Sequence, residues 1–446
     1  MKIRIMAAIL LVSFIGLAAC SAENAGVSAD ISTSGQEPSA STEQTVDSII
    51  ISGGAPDHTA LTQTYDRYVC TILHEDERQI SFDETGELLY EQEAARDAAV
   101  ERLLDITITN TLASASTMAE ETIRRIGAGE SVDLLHFTDA TTAASLVAGG
   151  YLYDIAQSET FSLEHPGLDH SLNASLTIAN QVYFLFGDAT LTDRLHTAAI
   201  LVDLEAAAEA AFVPEYCISA VKDGTWTMET WLTMAAQSSV SLDGDAVLPI
   251  FAAAGGSLFI KNANDIPVLT AGDAFSRGFA VMQNAMAEVD AGATFVFSVG
   301  DVGDILAKEG LLALPMPAVE EGESYRSVID AEKAECIAVP KDPINSARTG
   351  DILTAYFSQS SDTVSSLLND ALLKAEQKAG GDEIILAQIF GERECLLGSL
   401  FGWGELGKSL QEAVGMTEAE YLEKNEMRMA AAGRAMEIVL SRLTEE

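Results

Sequence analysis

The residues Leu17-Ala18-Ala19-Cys20 have the types and order that lipid attachment requires. Lys2 and Arg4 precede an apolar run over residues 5–17, too short to span a bilayer, and small residues then lead into the cysteine. A charged start, a short apolar stretch and a small-residue cleavage site make an export signal over residues 1–19. Cleavage before Cys20 and a diacylglyceryl thioether on its sulfur would hold the remaining chain at the outer face of the cell membrane. Each buried methylene of such a lipid contributes about 0.8 kcal/mol.

Other reactive-looking patterns lose their chemistry when their spacing is considered. Gly402-Trp403-Gly404-Glu405-Leu406-Gly407-Lys408-Ser409 matches a phosphate-binding loop literally, but only 37 residues follow Ser409. That tail cannot supply the magnesium-binding aspartate on a further strand that nucleotide chemistry needs. The histidines at 58, 74, 136, 165, 170 and 196 form no H-E-x-x-H pair, and no serine sits in G-x-S-x-G. Asp243-Gly244-Asp245 lacks the spaced oxygens of a calcium loop and reads as a tight polar turn. No cofactor, metal or catalytic residue is expected, and the chain does not read as an enzyme.

Composition narrows the partners. A formal charge of −43, or −45 once Lys2 and Arg4 are removed with the signal, repels phosphate backbones and argues against nucleic acid. The acids are dispersed, as a solvated coat would be. Hydrophobic content of 48% with 21% charged residues is that of a chain with a large core, and 446 residues exceed what one core serves, so two lobes are expected. Cys70, Cys217, Cys336 and Cys395 stand far apart, form no C-x-x-C pair, and read as buried free thiols.

The elements that would position a site follow in order. Residues 20–45 hold scarcely a large apolar side chain and read as a flexible tether from the lipidated cysteine. Tyr68-Val69-Cys70-Thr71-Ile72-Leu73 is a strand pattern, residues 87–104 a helix with Leu88, Ala95, Val100 and Leu103 at helical spacings, and Asp105-Ile106-Thr107-Ile108-Thr109 a second strand. Thr117 and Glu120 have the spacing of a capping box before a third strand at Val132-Asp133-Leu134-Leu135-His136-Phe137. This βαβαβ order predicts a mostly parallel sheet with ligands beyond the carboxyl ends of its strands. Later, Gln181-Val182-Tyr183-Phe184-Leu185-Phe186 reads as a strand, Thr227 as the cap of a helix carrying Trp231 and Met234, and residues 274–289 as a helix. Thr417 and Glu420 form a second capping-box pattern before a long amphipathic tail.

Taken in order, these segments resemble the clostridial-type extracellular solute-binding proteins of family 1, the lipoprotein receptors of ATP-binding-cassette importers. Leu146-Val147-Ala148-Gly149-Gly150-Tyr151-Leu152-Tyr153-Asp154 looks like the family's helix exit, and Gly187-Asp188-Ala189-Thr190-Leu191 is similar to its gating segment. Asp223-Gly224-Thr225-Trp226-Thr227-Met228 resembles its Gly-x-Trp-Thr helix start. Leu314-Pro315-Met316-Pro317 and Ile337-Ala338-Val339-Pro340-Lys341 look like a crossing and a returning strand.

The resemblance implies an α/β, two-lobed periplasmic-binding-protein-like fold, each lobe a mostly parallel sheet flanked by helices, with the ligand in the cleft between. Lobe one would take residues 46–153 and 314–357, lobe two residues 154–313 and 358–446. The implied function is capture of a small solute, a carbohydrate on family grounds, for ABC permease subunits by a monomer. A surface sensor feeding a signalling partner, or an anchored glycan hydrolase, are the alternatives. Strand-end loops offer His74, Glu75, Thr138, Asp139, Asp188, Thr190, Tyr325 and Asp330 as ligand contacts, with Trp226 near the cleft and Trp403 as a second aromatic candidate. With 7% aromatics and three tryptophans, sugar stacking has few candidates.

Overall fold

A computed structural model describes residues 61, 63–75, 85–238, 240–287 and 296–444. The export signal, Cys20 and the tether lie outside the described residues. In chain order the strands are β1 (Tyr68–Glu75), β2 (Ile106–Ala113), β3 (Leu134–Phe137), β4 (Phe184–Leu185), β5 (Ala198–Asp203), β6 (Val240–Ser241), β7 (Phe259–Lys261), β8 (Pro267–Leu269), β9 (Phe297–Asp301), β10 (Leu311–Leu314), β11 (Arg326–Val328), β12 (Cys336–Ala338) and β13 (Glu392–Glu394).

The first sheet has the order β2-β1-β3-β12-β4. β1 runs parallel to both β2 and β3, as the βαβαβ reading expects, while β12 enters antiparallel between β3 and β4. Strand alternation puts Ile72, Leu134, Leu185 and Ile337 on one face, under helix α1 (Thr85–Leu104) and the helix Ser346–Ser360. Leu73, Leu135 and Phe137 point the other way, into the larger core that reaches the second sheet. Each such buried side chain contributes about 1.5–3 kcal/mol, so a sheet covered on both faces is the stable arrangement for these runs.

Helix α1 buries Val100 as its spacing suggested, but the rest of its inward face is rotated from the expected one. Leu89, Arg96, Val100 and Leu104 are buried, whereas Ala95 is exposed and Leu103 half-buried. Helix α2 (Met118–Ala128) begins without the expected capping box: Thr117 Oγ1 donates to the Ser114 carbonyl instead of accepting from the helix. Helix α3 (Ala140–Gly149) is capped by Asp139, which accepts from Thr141 N–H at 2.8 Å, and it stops at Gly150, whose φ of 73° is left-handed. The capping box at Thr417 and Glu420 is present, and Thr227 caps the helix Met228–Ser238 by accepting from Thr230 N–H.

The second sheet has the order β10-β5-β9-β6, and there only β6 and β9 pair in parallel; β5 is antiparallel to β9 and β10. β11 and β13 form a small parallel pair between the halves, and β7 and β8 a hairpin. Near the lobe boundaries expected at 153, 314 and 357, the chain pairs and packs in the following way. β4 hydrogen-bonds to β12 in the first sheet, so the first half extends past residue 153. β10 belongs to the second sheet and β11 to the small pair, so the return comes only at β12. At the third boundary the helix Ser346–Ser360 continues through a π-helical turn, Ser361–Ser365, into the helix Ser366–Lys378, and its packing changes from α1 to β10 across that turn.

Among the described residues no helix is long and apolar enough to cross a membrane. All four cysteines of this body are free and buried, as expected.

Candidate functional site

Parallel strands expose backbone groups where they end, and the first sheet gathers four of the expected contacts there. Glu75 closes β1, and its Oε2 accepts from Thr138 N–H at 2.7 Å, Thr138 Oγ1 at 2.9 Å and Asp139 N–H at 3.2 Å in the turn after β3. The Ala140 N–H donates to the Ala331 carbonyl, which brings the Asp330 segment across the same turn. His74 lies one residue back on the α1 side, its Nε2 3.0 Å from Asn110 Oδ1. Asn110 in turn donates to Asp97, and Asp97 accepts from Arg96.

A cavity of about 360 Å³ opens between these strand ends and the first half of α1. His74, Glu75, Glu93, Arg96, Asp97 and Asn110 supply its polar lining, with Tyr90 and Leu112 as exposed apolar surface. That volume suits a small solute. Glu75 is 2% exposed, and its Oε1 has no hydrogen-bond partner among the described residues. Burial pushes its carboxyl above the ordinary glutamate range, against the lowering effect of the Thr138 and Asp139 donors.

The remaining polar candidates lie along the crossings. Asp188 accepts from Arg194 Nη2, Ser365 Oγ at 2.7 Å and Ser361 Oγ, which ties the turn after β4 to the π-helical turn. Thr190 is fully buried and closes that turn by donating to the Gly187 carbonyl. Asp330 sits 3.0 Å from Lys333, and its N–H donates to the His196 carbonyl. Nearby, Arg393 on β13 bridges Asp169 at 2.6 Å and Asp193 at 3.0 Å. Burial pushes Asp193 up, whereas Asp169, equally subject to burial, is held below its ordinary value by the same guanidinium.

Trp226, Tyr325 and Trp403 are not brought to the strand-end cavity. Trp226 is 0% exposed and its indole N–H donates to the Pro315 carbonyl at 2.8 Å; Tyr325 is buried with its hydroxyl on the Val221 carbonyl. Trp403 packs between Phe259 and Phe401. All three tryptophans, Trp231 included, pack in the larger core. Conversely, Arg96, Asp97 and Asn110 escaped the sequence reading. The signal was present in Arg96, the one charged residue on the buried stripe of α1, where an unpaired guanidinium would be costly.

Two larger cavities, of about 860 and 510 Å³, lie on the second half. In the smaller of the two, Arg277 is already bidentate to Glu323 and Arg326 lies 3.8 Å from Glu392. The larger lies between Phe212, Tyr216 and the helix Met228–Ser238, away from the strand ends. The Gly402–Ser409 pattern forms a short turn and helix, with Ser409 buried against Tyr421. Among the described residues no cluster of three histidine, cysteine or acidic side chains has metal-binding geometry.

No protein-family model matches the chain, and no curated protein matches it. Solved structures do. A cyclic alpha-maltosyl-1,6-maltose binding protein from Arthrobacter globiformis superposes with a TM-score of 0.56 at 13% identity, covering 84% of this chain and 99% of that one. UspC of M. tuberculosis gives 0.53 at 14% identity over 82% of this chain and 100% of its own. A cyclo/maltodextrin-binding protein complexed with maltotetraose gives 0.52 at 12%, covering 85% and 98%. At this identity the likeness is one of fold: the chain has the α/β, two-lobed, periplasmic-binding-protein-like architecture.

Proposed function

We propose that the chain is a lipid-anchored extracellular receptor that captures a small carbohydrate and delivers it to the permease subunits of an ABC importer. The observation that carries this reading is the set of segments that cross between two sheet-centred halves, at β4, at β12 and at the π-helical turn. Such an architecture lets a ligand favour one arrangement of the halves over another, and only that preference can drive closure. Binding proteins for maltose-type oligosaccharides share the fold, which supports a saccharide as the solute. The Leu17 to Cys20 motif supports anchoring at the outer face of the cell membrane. Capture and release need no covalent step, so the reading is of a non-enzymatic protein acting as a monomer.

The test is a thermal-shift screen of the mature protein against mono- and oligosaccharides, amino acids, peptides and polyamines. A saccharide binding at 100 times its Kd should stabilise the fold by about 2.7 kcal/mol. Small-angle scattering at saturation should then show a smaller radius; an unchanged radius would sink closure, and stabilisation by peptides alone would sink the carbohydrate assignment. A mature N-terminus lacking a lipid-sized mass increment at Cys20 would remove the anchor.

A further inference from the structure

The helical rod over residues 346–378 contains a stretch that its sequence does not favour as helix. Ser358-Gln359-Ser360-Ser361-Asp362-Thr363-Val364-Ser365-Ser366 places six hydroxyl side chains in nine positions. Ser and Thr are weak helix formers because their hydroxyls compete for nearby backbone groups. That competition is visible here. Ser360 Oγ donates to the Tyr356 carbonyl at 2.7 Å, Thr363 Oγ1 to the Gln359 carbonyl at 2.6 Å, and Ser361 Oγ to the Phe357 carbonyl at 3.2 Å. Each acceptor lies four residues back, where a regular α-helix would supply a backbone N–H.

A π-helical turn holds one residue more than an α-helix needs between the same two flanks, and it leaves a carbonyl without its usual donor. Hydroxyls repeated along the run give such a turn a substitute donor again when it shifts by a residue or two. The turn at Ser361–Ser365 is no frayed surface defect, since Ser360 and Val364 are fully buried.

The second observation is what holds the turn where it stands. Asp188 accepts from Ser361 Oγ and from Ser365 Oγ at 2.7 Å, the first and last residues of the turn, and Arg194 donates to both Asp188 and Ser365 Oγ. One carboxylate therefore spans the turn from end to end, and it belongs to the segment that leaves β4. On either side the rod packs differently: α1 covers Ser346–Ser360 and the turn, whereas Ser366–Lys378 lies against β10 and the helix Glu383–Gly391.

We propose that the extra residue of this turn migrates along residues 358–366 as the halves open and close, in the absence of ligand as well as in its presence. The position of the π-helical turn sets where the rod bends, so its migration redirects Ser366–Lys378 relative to Ser346–Ser360. Asp188 couples that migration to the crossing after β4. The inference rests on the closing-receptor reading above and names the element that moves.

Spin labels on Thr107→Cys in the first half and Glu309→Cys in the second, both exposed sites, read the spread of distances between the halves in the ligand-free mature protein, where the four native thiols of the body are buried. Deletion of Thr363 restores an unbroken α-helix while both flanks keep their facing. It is expected to narrow that spread and to slow amide exchange across residues 361–365 at least about tenfold. Should the deletion variant fail to fold, Ser360→Ala combined with Thr363→Val removes two substitute donors and is expected to narrow the spread in the same direction. An unchanged or wider spread in the variant that folds would assign the motion to the other crossings, overturning the inference and leaving the receptor standing. A single narrow distance in the labelled parent would overturn the inference alone, because the scattering radius with bound saccharide tests closure separately.

Discussion

His74 and His136 occupy the same register position on the parallel strands β1 and β3, with ring centroids 4.9 Å apart. The pair continues in both directions. His74 reaches Asn110 at the cavity, and His136 Nε2 lies 4.0 Å from Glu335 Oε2. Glu335 is fully buried on the segment entering β12, where the same oxygen accepts Leu191 N–H at 2.7 Å and Thr192 N–H at 3.3 Å. A line of polar groups thus joins the cavity to two crossing segments. His136→Leu breaks it without touching the cavity lining, and is expected to cost about 0.5–3 kcal/mol through the lost contacts of a buried ring with His74 and Glu335. Urea midpoints measure this; a loss within 0.5 kcal/mol would mean that the line contributes nothing.

Asp188 makes a parallel argument for the π-helical turn. One carboxylate holds Arg194, Ser361 and Ser365, and both members of the ion pair are mostly buried. π-helical turns inside long helices often mark functional positions. Asp188→Asn leaves Arg194 without its counter-charge, so a loss of about 2–4 kcal/mol is expected, together with faster amide exchange across residues 361–365. Unchanged exchange in a destabilised variant would show that Asp188 steadies the turn after β4 and not the helix.

Much of the first half was legible because βαβαβ order and period-2 runs leave few alternatives. The cap at Thr417 and the helices after Thr227 and near residue 274 were equally readable from local chemistry. What failed depended on long-range pairing. β4 has two residues, and its membership of the first sheet rests on β12, some 150 positions later, which no local pattern encodes. The α1 stripe was misread by one position because Arg96 interrupts it, and that same residue organises the cavity wall. Trp226 was read near the cleft from its place at a helix start, and its ring is buried in the larger core. For His74, Glu75, Thr138 and Asp139, common origin at parallel strand ends was enough to place them together.

Trp226 supplies a direct contrast between core and contact. Its ring is wholly enclosed and its N–H satisfied by Pro315. Trp226→Ala is expected to cost about 3–5 kcal/mol. Trp226→Phe should keep most of the packing and all ligand affinity, checked by calorimetry; a selective affinity loss with unchanged stability would return this residue to the site.

Glu376 gives the fold a pH dependence. It is fully buried between the helix Ser366–Lys378 and β10, its Oε2 accepting from Ala313 N–H, and Gly381 leaves the room that its other oxygen occupies. Burial raises its pKa from 4.5 to about 8, and Glu394, also raised by burial, titrates at about 7. An acid whose folded pKa is raised contributes its full stability below the unfolded value and loses it as pH rises through the folded one. Stability should therefore be greatest at about pH 4.5 and below, decline between about pH 4.5 and 8, and level off above, with a total loss of up to about 5 kcal/mol for Glu376 alone. Glu376→Gln should flatten most of that decline in urea midpoints taken at several pH values; an unchanged slope would assign it to other groups.

The thiols close the argument, because export to an oxidising surface would pair cysteines that could meet. Cys70, Cys217, Cys336 and Cys395 are all buried and free. Burial pushes every one of them up, Cys217 to about 12, and the carboxylates of Asp139, Glu75 and Asp193 add to the effect at Cys336, directly behind the strand-end site. The thiolate is the reactive form, so neither oxidation nor disulfide exchange has a foothold in the folded state. Ellman's reagent should find no reactive thiol among them in native protein and all four after unfolding. Fewer than four in the unfolded chain would reveal a bridge, and rapid reaction of one thiol in native protein would show that the core around it opens.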